Sequence, residues 1–187
     1  WHFHDSYWFW SLRIDPTLTL MDYITDQTFE GLTIENLTTA EYENCVFQSC
    51  QLNGADLSNF TFVDCEFISC DLSSIRSKKT SFRDAYFRDC KLMGIHFEDC
   101  NPYGLKCTFE SCTLDYSFFY QCPLKGTKFS NCRLTEVDFT EAGLEGVSFE
   151  GCNWTLNKGI MLAPMIHRQT KQVNIVKEEN FDFICLS

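Results

Sequence analysis

From residue 40 to residue 154 a large apolar side chain returns at every fifth position, a spacing that neither ordinary secondary structure can keep inside. A helix repeats its buried face every 3.6 residues and a strand every two. The stripe runs through Tyr42, Phe47, Leu52, Leu57, Phe62, Phe67 and Leu72, lapses at Ser77, and resumes at Phe82, Phe87, Leu92 and Phe97. Two surplus residues interrupt it between Asn101 and Lys106. It continues through Phe109, Leu114, Phe119, Leu124, Phe129, Leu134, Phe139, Leu144 and Phe149 to Trp154. A solenoid satisfies this pattern. Each five-residue unit makes one side of a square coil, four sides close a turn of about twenty residues, and stacked coils share one core.

Two places before each stripe residue stands a smaller side chain, as at Ala40, Cys45, Cys50, Ala55, Thr80, Ala85, Ser117, Thr127, Val137, Ala142 and Val147. Phe60, Ile75 and Ile95 are the bulky exceptions. That place faces inward beside the large residue, where room is tight. It also accounts for the cysteines, twelve of them, which would otherwise suggest a disulfide scaffold or metal sites. Cys45, Cys50, Cys65, Cys70, Cys90, Cys100, Cys107, Cys112, Cys122, Cys132 and Cys152 all occupy the small inner place, and Cys185 alone stands outside. There they act as compact hydrophobes. No Cys-x-x-Cys pair begins a zinc site, so no metal is expected. So many unpaired thiols favour a reducing compartment, and a cytoplasmic location is expected.

The unit Ala55-Asp56-Leu57-Ser58-Asn59 carries at every place the pattern of the pentapeptide-repeat family: Ala or Cys, Asp or Asn, Leu or Phe, then two polar residues. The chain resembles that family over roughly residues 28 to 154. The resemblance implies an all-β fold, a right-handed quadrilateral β-helix.

Three segments are expected. Residues 1–20 form an aromatic leader outside the repeat, with Trp1, Phe3, Tyr7, Trp8, Phe9 and Trp10 in its first ten positions. It lacks the basic start and cleavage site of a signal peptide. His2, His4, Asp5, Arg13 and Asp15 interrupt a stretch already too short to cross a membrane. His2, His4 and Asp5 could be taken for a metal cluster, but an unstructured leader or translated upstream sequence fits better. The chain begins on Trp1, and Met21 immediately precedes an acidic stretch, so Met21 is expected near the natural start. Residues 21–154 form the β-helix. Within it, residues 22–39 are a capping turn in which Phe29, Leu32 and Leu37 approach the register without small partners. Residues 155–187 lose the frame. Two readings stay open for them: a cap that seals the last coil, sometimes with formation of a homodimer, or an altered reading frame.

Two breaks interrupt the body. Ser73 to Lys79 puts Ser77 where an apolar residue belongs, so that side is expected to be poorly filled or bulged outward. The stretch from Asn101 to Lys106, punctuated by Pro102 and Gly104, reads as a small projecting loop with Pro102 and Tyr103 at its tip. It is either a tolerated corner insertion or a contact site.

Catalytic chemistry finds little footing. His96 and His167 are isolated, and no serine or cysteine triad, phosphate loop or dinucleotide fingerprint appears. His96, Glu98 and Asp99 read as a solvated corner. Asn36, Asn59 and Asn153 open Asn-x-Ser/Thr triplets, a pattern short enough to arise by chance. No enzyme activity and no cofactor are expected.

Charge remains. Residues 21–154 hold twenty-one acidic and ten basic residues, giving the same net charge of −11 as the whole chain. Such a surface repels nucleic acid directly. It resembles the quinolone-resistance branch of the family, whose members imitate duplex DNA in size and charge and bind DNA gyrase and topoisomerase IV. Folding the sequence into four sides puts Asp56, Glu98, Asp99, Asp138 and Glu141 on one face. Glu41, Glu43, Asp64, Asp84 and Glu145 fall on the next, Glu66, Asp89, Glu110 and Glu150 on a third, and Asp71, Asp115 and Glu136 on the last. A protein-binding scaffold follows, either a mimic of DNA or a general interaction module.

Overall fold

The computed structural model describes residues 22–155 and a two-residue strand at 174–175. The aromatic leader, His2, His4, Asp5, Met21, His167, Cys185 and nearly all of the C-terminal segment expected to cap or dimerise lie outside the described residues.

The strands are short and all pair in parallel, as expected when each belongs to a successive turn of one coil. One side stacks β1 (Asp22–Thr25), β3 (Ala40–Glu43), β5 (Thr61–Val63) and β7 (Ser81–Arg83). The second stacks β2 (Thr28–Glu30), β4 (Val46–Gln48), β6 (Glu66–Ile68), β8 (Ala85–Arg88), β9 (Cys107–Glu110), β10 (Lys128–Ser130) and β12 (Ser148–Glu150). The third is carried by single bridges from Thr33 through Gln51, Asp71, Lys91 and Thr113 to Arg133. It ends as β11 (Arg133–Thr135), β13 (Asn153–Thr155) and β14 (Asn174–Ile175). The fourth carries the bridges Asp56 to Arg76 and His96 to Phe118 to Asp138. This is a quadrilateral β-helix.

The two polar residues that close each unit have a conformational task. The second of them turns the corner in the left-handed region, as Asn44, Ser49, Asn59, Asp64, Ser69 and Asp89 do at φ between 50° and 66°. Asn, Asp and Ser tolerate that region better than other non-glycine residues, or bond the local backbone there.

Inside, the stripe becomes a stack of rings. On the second side Phe47 and Phe67 lie 4.8 Å apart, Phe67 and Phe87 4.9 Å, and Phe109 and Phe129 5.0 Å, all stacked with nearly parallel planes. That is close to the spacing of hydrogen-bonded strands, so backbone and side chains repeat together. Rings on adjacent sides meet edge to face, as Phe62 and Phe67 do at 5.2 Å and 77°. Cys50, Cys70, Cys90, Cys112, Cys132 and Cys152 fall in one column, and the eleven described cysteines are buried and free. The Cys70 thiol donates to the carbonyl of Phe47 at 3.1 Å, and the Cys152 thiol to that of Phe129 at 3.4 Å.

Two expectations change, and the projecting loop is found where it was expected. Ser73 to Lys79 does not bulge: Ser77 is buried, its hydroxyl donates to the carbonyl of His96 at 2.7 Å, and the ladder passes through it from Leu57 N to Arg76 O. In the lead-in, Ile24, Phe29 and Ile34 take the stripe places opposite Tyr42, Phe47 and Leu52, while Leu32 and Leu37 also pack on the core. Ile24 pairs with Tyr42 eighteen residues on rather than twenty. The two missing residues are taken up between Ile34 and Ala40, the stretch that holds the short 3-10 helix Ile34–Asn36. Finally, the two surplus residues are absorbed on the first side. Asn101 N still reaches Thr80 O at 2.8 Å and Lys106 N reaches Phe82 O at 3.0 Å. Leu105 is buried between them while Pro102, Tyr103 and Gly104 stand outside.

Candidate protein-binding surface

Side chains flanking each stripe residue point away from the core, so each side of the coil presents rows one strand spacing apart. On the fourth side one row runs Asp56, Arg76, His96, Phe118, Asp138. A second runs Ser58, Lys78, Glu98, Tyr120, Thr140, and the corner row holds Asn59, Lys79, Asp99, Gln121 and Glu141. Asp56, Glu98, Asp99, Asp138 and Glu141 thus share one side, together with Arg76, Lys78 and Lys79 in the middle coils.

Most of these carboxylates have local partners. Asp56 meets Arg76 at 3.1 Å across an exposed pair and accepts the Ser58 amide at 3.0 Å. The Ser58 hydrogen bonds first, and the Arg76 guanidinium second, hold its carboxyl below the usual range. Asp138 accepts the Thr140 amide at 2.9 Å, and Glu141 accepts Gln121 Nε2 at 2.6 Å. Glu98 differs from the solvated corner expected of it. It lies in the 3-10 helix Phe97–Asp99, its side chain is only 24% exposed, and Oε1 stands 2.9 Å from His96 Nδ1.

Acid without interspersed base lies on the first side. Asp22 and Asp26 join Glu41, Glu43 and Asp64 there, because β1 pairs with β3. No Lys or Arg stands among them, and Tyr23, 60% exposed, donates its hydroxyl to Glu43. The hydrogen bond to Glu43 above all, then partial desolvation and the neighbouring acids, push the Tyr23 phenol up. Further along this side, Lys106 pairs with Asp84 and Lys125 with Glu145 at 3.0 Å. On the third side Asp115 is not an outward charge: it is buried, held by Arg133 at 2.7 Å and by the Thr135 amide at 3.1 Å.

The loop tip is the most exposed aromatic point among the described residues, with Tyr103 82% accessible. Beneath it, between the loop and the corner Tyr120 to Pro123, lies a pocket of about 310 Å³. No group of three His, Cys, Asp or Glu among the described residues is arranged to hold a metal ion. No described helix is long and apolar enough to cross a membrane.

Residues 35–102 and 105–159 match the family described as the pentapeptide repeat region, and the gap between the two matches falls on Tyr103 and Gly104, in the projecting loop. The chain belongs to the pentapeptide-repeat family. MfpA, a pentapeptide repeat protein of Mycobacterium tuberculosis, is 37% identical to this pentapeptide-repeat protein over 79 residues. That match covers 38% of this chain and 43% of MfpA, less than half of either. Among solved structures, a trypsin-treated form of QnrB1, a plasmid-mediated fluoroquinolone resistance protein, is 21% identical with a TM-score of 0.36, over 75% of this chain and 86% of that one. HetL of Nostoc, involved in heterocyst differentiation regulation, is 13% identical with a TM-score of 0.28, over 73% and 85%.

Proposed function

We propose that this pentapeptide-repeat protein is a non-catalytic cytoplasmic scaffold that binds another protein through its acidic sides. The partner is a type II topoisomerase, DNA gyrase or topoisomerase IV, met as a mimic of duplex DNA. The observation that carries this reading is the charge density along the stacked coils. Six steps separate the seven stacked strands of the second side, so at about 4.8 Å a step the rod is about 29 Å long. A net charge of −11 over residues 21–154 is then about one charge per 3 Å of axis, against about one per 1.7 Å for duplex DNA. The rod is a diluted likeness of DNA, but of the same order. The family resemblance to the quinolone-resistance branch supports the same partner. In this reading Asp56, Glu98, Asp99, Asp138 and Glu141 form the contacting side, and Pro102 and Tyr103 add an apolar contact from the loop.

The basic residues Arg76, Lys78 and Lys79 in the middle of that side favour a second reading, an interaction module for a partner of mixed charge. Charge reversal separates the two. The triple variant D56K, D99K and D138K, folded by circular dichroism, should bind gyrase at least tenfold more weakly, and binding of the native chain should weaken as salt rises. Reversal of Asp71 and Glu136 on the third side is the control, since Asp115 is buried and its reversal would disturb the fold. Equal loss from both sets would contradict a contacting side on the fourth face.

A further inference from the structure

The projecting loop leaves a pocket at the corner of the coil that the repeat does not need. It is walled by Pro102 and Leu105 from the loop, and by Cys100, Tyr120 and Pro123 from the coil, and Glu98 is the acidic residue in its lining. At about 310 Å³ it stands at the low end of cavities that enclose small ligands. Apart from Gln121, whose amide is engaged by Glu141, the wall is apolar with one acidic group, a combination that selects for a cation on an apolar stem.

Glu98 is held for such a role. His96 lies flat on the Phe118 ring at 4.4 Å and 8°, and its Nδ1 meets Glu98 Oε1 at 2.9 Å. This leaves Oε2, which is buried and is the one such side-chain N or O atom among the described residues with no hydrogen-bond partner. A carboxylate oxygen with neither solvent nor donor is unfavourable, and a charged N–H donor entering the pocket would relieve it.

We propose that this pocket takes a guanidinium group on a short apolar stem, as an arginine side chain presents it. A planar guanidinium offers several donors to a carboxylate and can stack on an aromatic face such as Tyr120, while its stem packs on Leu105 and Pro123. An ammonium would bring the charge without the stacking. The acidity of the whole rod draws cations towards it. The proposal goes beyond the topoisomerase reading and holds with or without it.

The test is titration of the isotopically labelled full chain with propylguanidinium, followed by amide chemical shifts. Saturable shifts are expected at Leu105, Tyr120 and Cys122. Neutral N-propylurea, of nearly the same shape, should bind at least tenfold more weakly, a comparison that needs no variant. Glu98→Gln should lose the preference for the charged probe. A blocked Ala-Arg-Ala peptide that binds as well as propylguanidinium assigns the site to an arginine of a protein partner, whereas binding of the free compound alone assigns it to a small guanidino ligand. Equal binding of propylurea, undiminished binding to Glu98→Gln, or no saturable shift with either probe would overturn the proposal.

Discussion

Phe109 lies between Phe87 at 5.2 Å and Phe129 at 5.0 Å and is fully buried, so its removal opens a void that the stacked coils above and below cannot close. Phe109→Ala should destabilise the fold by about 3–5 kcal/mol, measured by urea denaturation, and a cost under about 1 kcal/mol would contradict the inward register. The thiols give a second prediction. Burial pushes Cys65, Cys100 and Cys122 up to about 12, above the ordinary value of about 8.5. The unfolded chain releases these protons first. Their contribution to stability is therefore complete below about pH 8.5 and is lost as pH rises towards 12. The urea midpoint should fall between pH 8 and pH 11, and iodoacetamide should label the native protein at pH 8 far more slowly than the unfolded one. Equal labelling rates would show the thiols are not inside. The inner place of the cysteines was legible because their spacing is that of the repeat. The covering of Glu98 and Asp115 was not, since each stands at a nominally outward place: Asp115 is buried under Arg133 and Thr135 of the next coil, and Glu98 is drawn in beside His96 by a 3-10 turn.

At the scale of the coil, the sequence showed the surplus at Asn101 to Lys106 because Pro102 and Gly104 mark it and the stripe shifts visibly beyond it. The opposite shift in the first coil was hidden. Leu32 and Leu37 also fall on the five-residue count back from Tyr42, so two frames compete there, and pairing of Ile24 with Tyr42 decides for the other. That choice brings Asp22 and Asp26 onto the first side and completes the acidic run that the sequence count had left partial. The lapse at Ser77 is deceptive for a related reason. A hydroxyl inside an apolar column looks like a defect until a carbonyl of the next coil is found to accept from it. Because the chain is already in register on both flanks of the loop, deletion of Pro102 and Tyr103 should leave the melting temperature within a few degrees. Leu105→Ala, by contrast, should cost about 2–5 kcal/mol as a core truncation. Unfolding on the deletion would mean that the loop holds the coil rather than interrupting it.

For the whole molecule, stacking makes stability a sum over neighbouring coils and leaves the outer rows free to vary, so charge can be set without disturbing the core. Net charge was legible in composition; its arrangement required the register, and the mixing of Arg76, Lys78 and Lys79 into the proposed contacting side became visible only when the coils were aligned. Exposed charges of this kind act over about 8 Å at physiological ionic strength, so a partner must approach the rod closely along its length to sense it. Competition for gyrase tests this account most directly. Purified protein should displace a labelled DNA duplex from gyrase at low salt, with the displacement fading as salt rises and weakened by the D56K, D99K and D138K triple variant. Gyrase and topoisomerase IV that retain their DNA in the presence of excess folded protein at low salt would contradict it.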